Sequence, residues 1–111
     1  MGTHIPILGR LNYNVRVIAR PILIEFGKKH RDANNSIEAW YWEARKAEWK
    51  NVNEVKAQYR TASILKKRRV VFNICGNKYR LVVAINYESK IVYIRFIGTH
   101  KDYDLINPEN I

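Results

Sequence analysis

From Val70 onward the apolar and polar positions alternate with a period of two. Val70, Phe72 and Ile74 alternate with Arg69, Val71 and Asn73; Tyr79, Leu81, Val83, Ile85 and Tyr87 with Lys78, Arg80, Val82, Ala84 and Asn86; Val92, Ile94 and Phe96 with Ile91, Tyr93, Arg95 and Ile97. That is the period of a strand with one buried face, so the pattern predicts consecutive strands joined by hairpins. Gly76-Asn77 suits a tight hairpin loop and pairs Cys75 with Lys78, Ile74 with Tyr79, Asn73 with Arg80 and Phe72 with Leu81. A second loop at Glu88-Ser89 pairs Ile85 with Val92, Val83 with Ile94, Val82 with Arg95 and Leu81 with Phe96. Turns chosen on local grounds thus put the large apolar residues on one face and Asn73, Lys78, Arg80, Tyr93 and Arg95 on the other.

Upstream the period becomes helical. Val15 to Ala19 is β-branched enough for a short strand, and Pro21 suits the first turn of a helix running to about His30, with Ile22, Leu23 or Ile24, and Phe26 as its apolar face. Asp32 to Ser36 is turn chemistry with candidate caps; after it Ile37, Trp40, Tyr41, Ala44 and Ala47 recur at helical spacing. Asn53 to Tyr59 reads as a further short helix capped by Asn51 or Asn53. The Trp residues read as packing residues, because aromatics at helical spacing usually fill cores. Residues 1–14 show no periodicity and are expected to be a flexible extension, leaving 15–111 as one domain. The fold class expected is α+β: N-terminal helices packed on a twisted antiparallel sheet of about four strands, with a short C-terminal helical turn.

Length and composition narrow the function. With 111 residues there is room for one core and not for separate cofactor and substrate lobes, and 47% hydrophobic residues suffice to fold it. The single cysteine, Cys75, makes no internal disulfide and has no Cys/His motif around it, which suits the cytoplasm. The sequence has no zinc spacing and no glycine-rich phosphate loop, so neither metal nor cofactor is expected. The apolar run Leu81 to Ile85 is far short of the roughly 20 residues that span a bilayer. Arg10 interrupts Ile5-Pro6-Ile7-Leu8 too early for a signal peptide, and no membrane partner is expected.

Charge changes the picture most. Lys and Arg number 20 against 10 Asp and Glu, a net +10. From Arg60 to Lys101 the basic residues are Arg60, Lys66, Lys67, Arg68, Arg69, Lys78, Arg80, Lys90, Arg95 and Lys101 against Glu88 alone, so this segment carries +9 and the remainder about +1. A charge so concentrated repels itself in the folded state and commonly meets phosphates. On the register above, Arg80 and Arg95 are diagonal neighbours about 7 to 8 Å apart, close enough to hold one phosphodiester. His100 then emerges near Asn77 and Lys78. Thr99 at a helix cap with Asp102 three positions on sets His100 and Tyr103 on one face of a helical turn. Lys66-Lys67-Arg68-Arg69 is either a solvated loop or a grip on RNA backbone, and Tyr93 either stacks on a base or covers the sheet beside Asn73.

Val70-Val71-Phe72-Asn73-Ile74, Gly76-Asn77-Lys78-Tyr79-Arg80-Leu81, Val92-Tyr93-Ile94-Arg95 and Thr99-His100-Lys101-Asp102-Tyr103-Asp104 resemble the HigB family of toxins, within the RelE-like group of mRNA interferases. The resemblance runs from about Val15 to Tyr103. It implies a small α+β toxin that cleaves mRNA, commonly on the ribosome, and is neutralised by a helix-turn-helix, HigA-like antitoxin. By similarity Arg80 matches a strand arginine of RelE-like toxins, His100 stands where many carry an arginine after the last strand, and Tyr103 matches their C-terminal tyrosine.

Independently of the family, metal-free RNA cleavage needs a base for the 2′-OH, an acid for the departing 5′-oxygen and positive charge for the phosphorane. His100 is the candidate for proton transfer, and surrounding positive charge favours its neutral, basic form. Tyr103, with an ordinary pKa near 10, suits the acid; Arg80 and Arg95 clamp the phosphate and Lys78 adds charge or moves a proton. A non-catalytic RNA- or ribosome-binding inhibitor of translation, or a toxin of the same fold with another target, remains open on the residues alone.

Overall fold

The computed structural model describes residues 13–111. Strand β1 (Arg16–Ile18) leads into helix α1 (Arg20–Lys29), a 3-10 turn (Arg31–Ala33), α2 (Asn34–Ala47) and α3 (Val52–Gln58). Then come β2 (Ser63–Ile64), β3 (Arg69–Ile74), β4 (Tyr79–Asn86), β5 (Ile91–Thr99) and α4 (His100–Tyr103). The sheet order is β1-β5-β4-β3-β2, five strands where about four were expected. It is mixed and not wholly antiparallel, because β1 runs parallel to β5. The extension expected over 1–14 lies almost wholly outside the described residues. Of it, the Tyr13 main chain accepts from Arg45 at 3.0 Å and Asn14 donates to Glu48 at 3.0 Å.

The helical pattern is realised with a rotation of one face. Pro21 opens α1, and Lys28 and Lys29 close it where cations oppose the partial negative charge of the carbonyl end. Its buried stripe is Leu23 and Gly27 with Phe26 packed against the core, whereas Ile22 and Ile24 face solvent. Gly27 belongs to the stripe because a Cβ there would lie 2.5 Å from the Asn34 side chain of α2. Helix α2 starts at Asn34, earlier than the apolar spacing implied, and no side chain of the Asp32–Ser36 turn caps it. Its buried residues are Ile37, Trp40, Tyr41 and Ala44, on the expected face. Asn51, and not Asn53, caps α3, accepting from the Glu54 amide at 3.1 Å.

The helices cover one face of the sheet. Phe72 is the hub, with ring centroids of Trp40, Trp49 and Tyr59 at 5.4, 6.1 and 5.0 Å. Trp42 departs from the packing role expected of all three tryptophans. It is 38% exposed, meets Tyr13 and Tyr41 edge-on and lies under the Arg20 and Arg45 guanidinium groups. Phe72→Ala removes the ring that the other three aromatics contact, and should cost about 3 to 5 kcal/mol of stability, measured by urea unfolding with an unchanged m-value.

The first hairpin has the expected register, Asn73 to Arg80, Ile74 to Tyr79 and Phe72 to Leu81, with Gly76 in the left-handed region at φ 66°. The second agrees only as far as Val83–Ile94. A β-bulge at Arg95 then pairs Val82 with Phe96 and Leu81 with Ile97, so the expected pairs Leu81–Phe96 and Val82–Arg95 do not form. One extra residue inverts the alternation beyond it. Ile97 therefore turns to the core, and Phe96 to the outer face. There its ring lies over Gly98, where an added Cβ would be 2.5 Å away. A side chain at Gly98 has no room unless Phe96 leaves.

Candidate active site

The outer face of the sheet and the chain end returning to it hold most of the expected residues, in two groups. The first lies at the Gly76 hairpin. The His100 amide donates to the Lys78 carbonyl at 3.1 Å, so the start of α4 is pinned to that hairpin. Thr99 caps α4 as the sequence suggested, its hydroxyl accepting from the Asp102 amide at 3.1 Å. Arg80 pairs across the ladder with Gly98, two residues before His100, and its guanidinium donates to the main-chain oxygens of Asn77 and Tyr79 at 3.0 and 3.3 Å. Tyr103 completes the group from the same helical turn, its ring 6.5 Å from that of Phe96. The flip of Phe96 to this face thus seats Tyr103. Asn73, the ladder partner of Arg80, has its amide 3.5 Å from the Thr61 carbonyl.

Two acidic residues that the sequence reading gave no catalytic role complete the group. Asp104 Oδ2 lies 3.3 Å from His100 Nδ1, one helical turn further on. A carboxylate so placed favours the form that carries a proton on Nδ1. The spacing of four residues on a helical turn was the available signal. Asp32, in the 3-10 turn, forms an ion pair with Lys78 and accepts from the Tyr79 hydroxyl at 2.7 Å. No local pattern could have revealed it, since the partners are more than forty positions apart.

The Asp32 contact bears on the charge of Lys78. The hydrogen bond from Lys78, then that from Tyr79, holds the Asp32 carboxyl below its ordinary range, and the same pairing holds the Lys78 ammonium above its own. The pairing thus favours the charged form of Lys78. The Tyr79 phenol is pushed up by the same carboxylate. The signs give a pH signature. The depressed Asp32 contributes stability that is present above the unfolded carboxylate range and lost as pH falls through the folded value. The raised Lys78 contributes stability that is lost only as pH rises through its own. Asp32→Asn should lower the melting temperature at pH 7, and the difference from the parent should close in acid; melts at stepped pH between 2 and 8 check it. A gap that stays constant into acid would show that the pair adds nothing.

The second group lies further along the sheet. The bulge makes Gly98 and not Ile97 the ladder partner of Arg80, so Arg95 stands three residues from that partner along β5, roughly 10 Å, instead of two. Arg95 Nε and Arg69 Nε each donate to the main-chain oxygen of Ile111 at 3.1 Å. Arg80 and Arg95 are therefore not brought together; Arg95 joins Arg69. Tyr93 stands in the row Arg69–Ala84–Tyr93 of the ladder, half-buried. Of the basic run, Arg68 pairs with Glu88 at 2.9 Å, Lys67 Nζ donates to Asn110 at 2.8 Å, and the Lys66 amide donates to Glu109 at 3.1 Å. Among the described residues no cluster of three or more His, Cys, Asp or Glu side chains could hold a metal ion, and no helix is long and apolar enough to cross a membrane.

The model of a family described as HigB toxin, RelE-like toxic component of a toxin-antitoxin system, matches residues 33–106, two thirds of the chain. The chain belongs to the HigB toxin family. The matched HigB segment spans α2 through α4 and contains every residue expected at the site, while Asp32 lies just before it. Among curated proteins, the mRNA interferase toxin HigB of Escherichia coli K12 is 46% identical over 37 residues, 33% of this chain and 36% of that protein. The mRNA interferase HigB proteins of Escherichia coli O157:H7 and Shigella flexneri match to the same extent. The similarity thus spans little more than a third of the length of these relatives.

Proposed function

We propose that this chain is a metal-independent endoribonuclease that cleaves mRNA, the toxin of a toxin–antitoxin pair. The observation that carries the reading is the attachment of His100 to the Lys78 hairpin beside Arg80, with Asp104 orienting its imidazole. In the step proposed, His100 Nε2 takes the proton of the 2′-OH as the 2′-oxygen bonds to the adjacent phosphorus. The bond from phosphorus to the 5′-oxygen breaks, and Tyr103 supplies the proton that oxygen takes up. A 2′,3′-cyclic phosphate and a 5′-hydroxyl are left, and the proton gained by His100 passes through solvent to the Tyr103 phenolate, which restores both groups. Arg80 and the charge of Lys78 oppose the negative charge gathered on the phosphorane. Every group comes from the chain itself, with no cofactor.

The +9 segment supports a polyanionic target, and ribosomal RNA around a translated message would meet it. On this reading the protein acts in the cytoplasm, at the ribosome, and a helix-turn-helix, HigA-like antitoxin neutralises it. The test is 5′-end mapping of cellular mRNA after brief induction of the chain, beside His100→Ala. New 5′-hydroxyl ends within reading frames, absent from the variant and suppressed when translation is blocked, are expected. Growth arrest without new ends would replace cleavage by occupancy of RNA or the ribosome.

A further inference from the structure

Three guanidinium N–H groups meet at one oxygen on the outer face. Arg95 Nε, Arg69 Nε and Arg69 Nη2 all donate to the main-chain oxygen of Ile111. The segment that delivers this oxygen leaves α4 at Asp104 and crosses to the start of β3. There Glu109 accepts from the Lys66 amide and Asn110 from the Lys67 ammonium. On the same face Val71 and Val82, which do not belong to the core under the helices, are 3% and 0% exposed. A fork of guanidinium donors from β3 and β5, the two strands that flank β4, is a geometry that matches the several oxygens of a phosphodiester, of which a main-chain oxygen is a minimal substitute.

We propose that Arg69 and Arg95 form a second phosphate subsite for the RNA chain, and that the segment Leu105–Ile111 occupies it in competition with RNA. This rests on the reading of the outer face as an RNA-cleaving surface. Arg69 stands four residues along β3 from Asn73, the ladder partner of Arg80, which is roughly 13 Å. The RNA strand would then cross the sheet with one phosphate at Arg80 and another, further along the strand, at the Arg69–Arg95 fork. Tyr93, in the Arg69 row, is placed to stack on a base at the fork end of the strand. RNA gains the fork only as the Ile111 oxygen leaves it.

The test uses the full chain and a fluorescent single-stranded 2′-O-methyl RNA, which has no free 2′-OH to react. Anisotropy titrations across salt compare the parent with Arg69→Gln/Arg95→Gln, Arg80→Gln and Glu109→Ala/Asn110→Ala. The paired arginine variant should bind about tenfold more weakly, with a salt slope smaller by about 0.7 for each phosphate lost. Glu109→Ala/Asn110→Ala, which loosens the segment, should bind several-fold more tightly. Hydrogen exchange on the unaltered protein gives a reading free of folding effects: RNA should speed exchange of the amides of Leu105–Ile111.

Parent-like binding by the paired variant while Arg80→Gln weakens it would overturn the subsite and leave the RNA-binding face standing. Parent-like binding by all the arginine variants would overturn both. Unchanged exchange in the segment, or no gain on loosening it, would overturn the competition.

Discussion

His100→Ala should lower the single-turnover rate of RNA cleavage by about 10² to 10⁴, the range that a positioned acid or base supplies, with RNA affinity changed little. The imidazole is the proposed proton-transfer group, and its removal leaves the main-chain bond from residue 100 to the Lys78 carbonyl in place. The fold should therefore survive, which a matched circular dichroism spectrum and melting curve would establish. Asp104→Asn separates orientation from chemistry. It removes a carboxylate 3.3 Å from Nδ1 without touching Nε2, so it should slow cleavage by less than His100→Ala. Equal rates for parent and His100→Ala would remove the histidine from the mechanism altogether.

The second large effect is expected at Arg80. Its guanidinium rests on the carbonyls of its own hairpin, a position from which it can swing to an incoming phosphate while its backbone stays locked opposite Asn73 and Gly98. Arg80→Ala should cost about 10² to 10³ in rate, as removal of one donor to a developing oxyanion does. Arg80→Lys keeps a charge but loses the planar fork, so it should recover only part of the rate. Single-turnover cleavage of one labelled RNA under saturating enzyme separates this from weaker binding. Full activity in Arg80→Lys would show that charge alone is needed there.

The two groups differ in how far they could be read in advance. The first hairpin was legible to the residue because a turn with a glycine at positive φ and an unbroken alternation demand the same pairing. The expectation that His100 emerges near Asn77 and Lys78 came instead from the second hairpin, and with the bulge the His100 amide meets the Lys78 carbonyl. The pairing of Arg80 with Arg95 did not survive. In Arg95-Phe96-Ile97 both residues after the arginine are apolar, so a period of two cannot say which faces the core. The bulge answers that by turning Ile97 inward and laying Phe96 over Gly98. A regular strand and a bulged one share a sequence pattern here and differ by roughly 3 Å in where Arg95 sits.

What the amino-acid order determined by itself was local or nearly so: the strand alternation as far as Ile94, the hairpin loops, the helix face through Ile37, Trp40, Tyr41 and Ala44, the cap at Thr99, and the concentration of charge after Arg60. Each rests on groups within a few residues of one another, where spacing alone dictates geometry. Only the tertiary structure decided that Asp32 would hold Lys78 charged, that β1 would lie parallel beside β5, and that the chain near Ile111 would cross the basic face to Arg69 and Arg95. These contacts join distant segments. Their existence depends on how helices and sheet pack around Phe72, which no periodicity encodes.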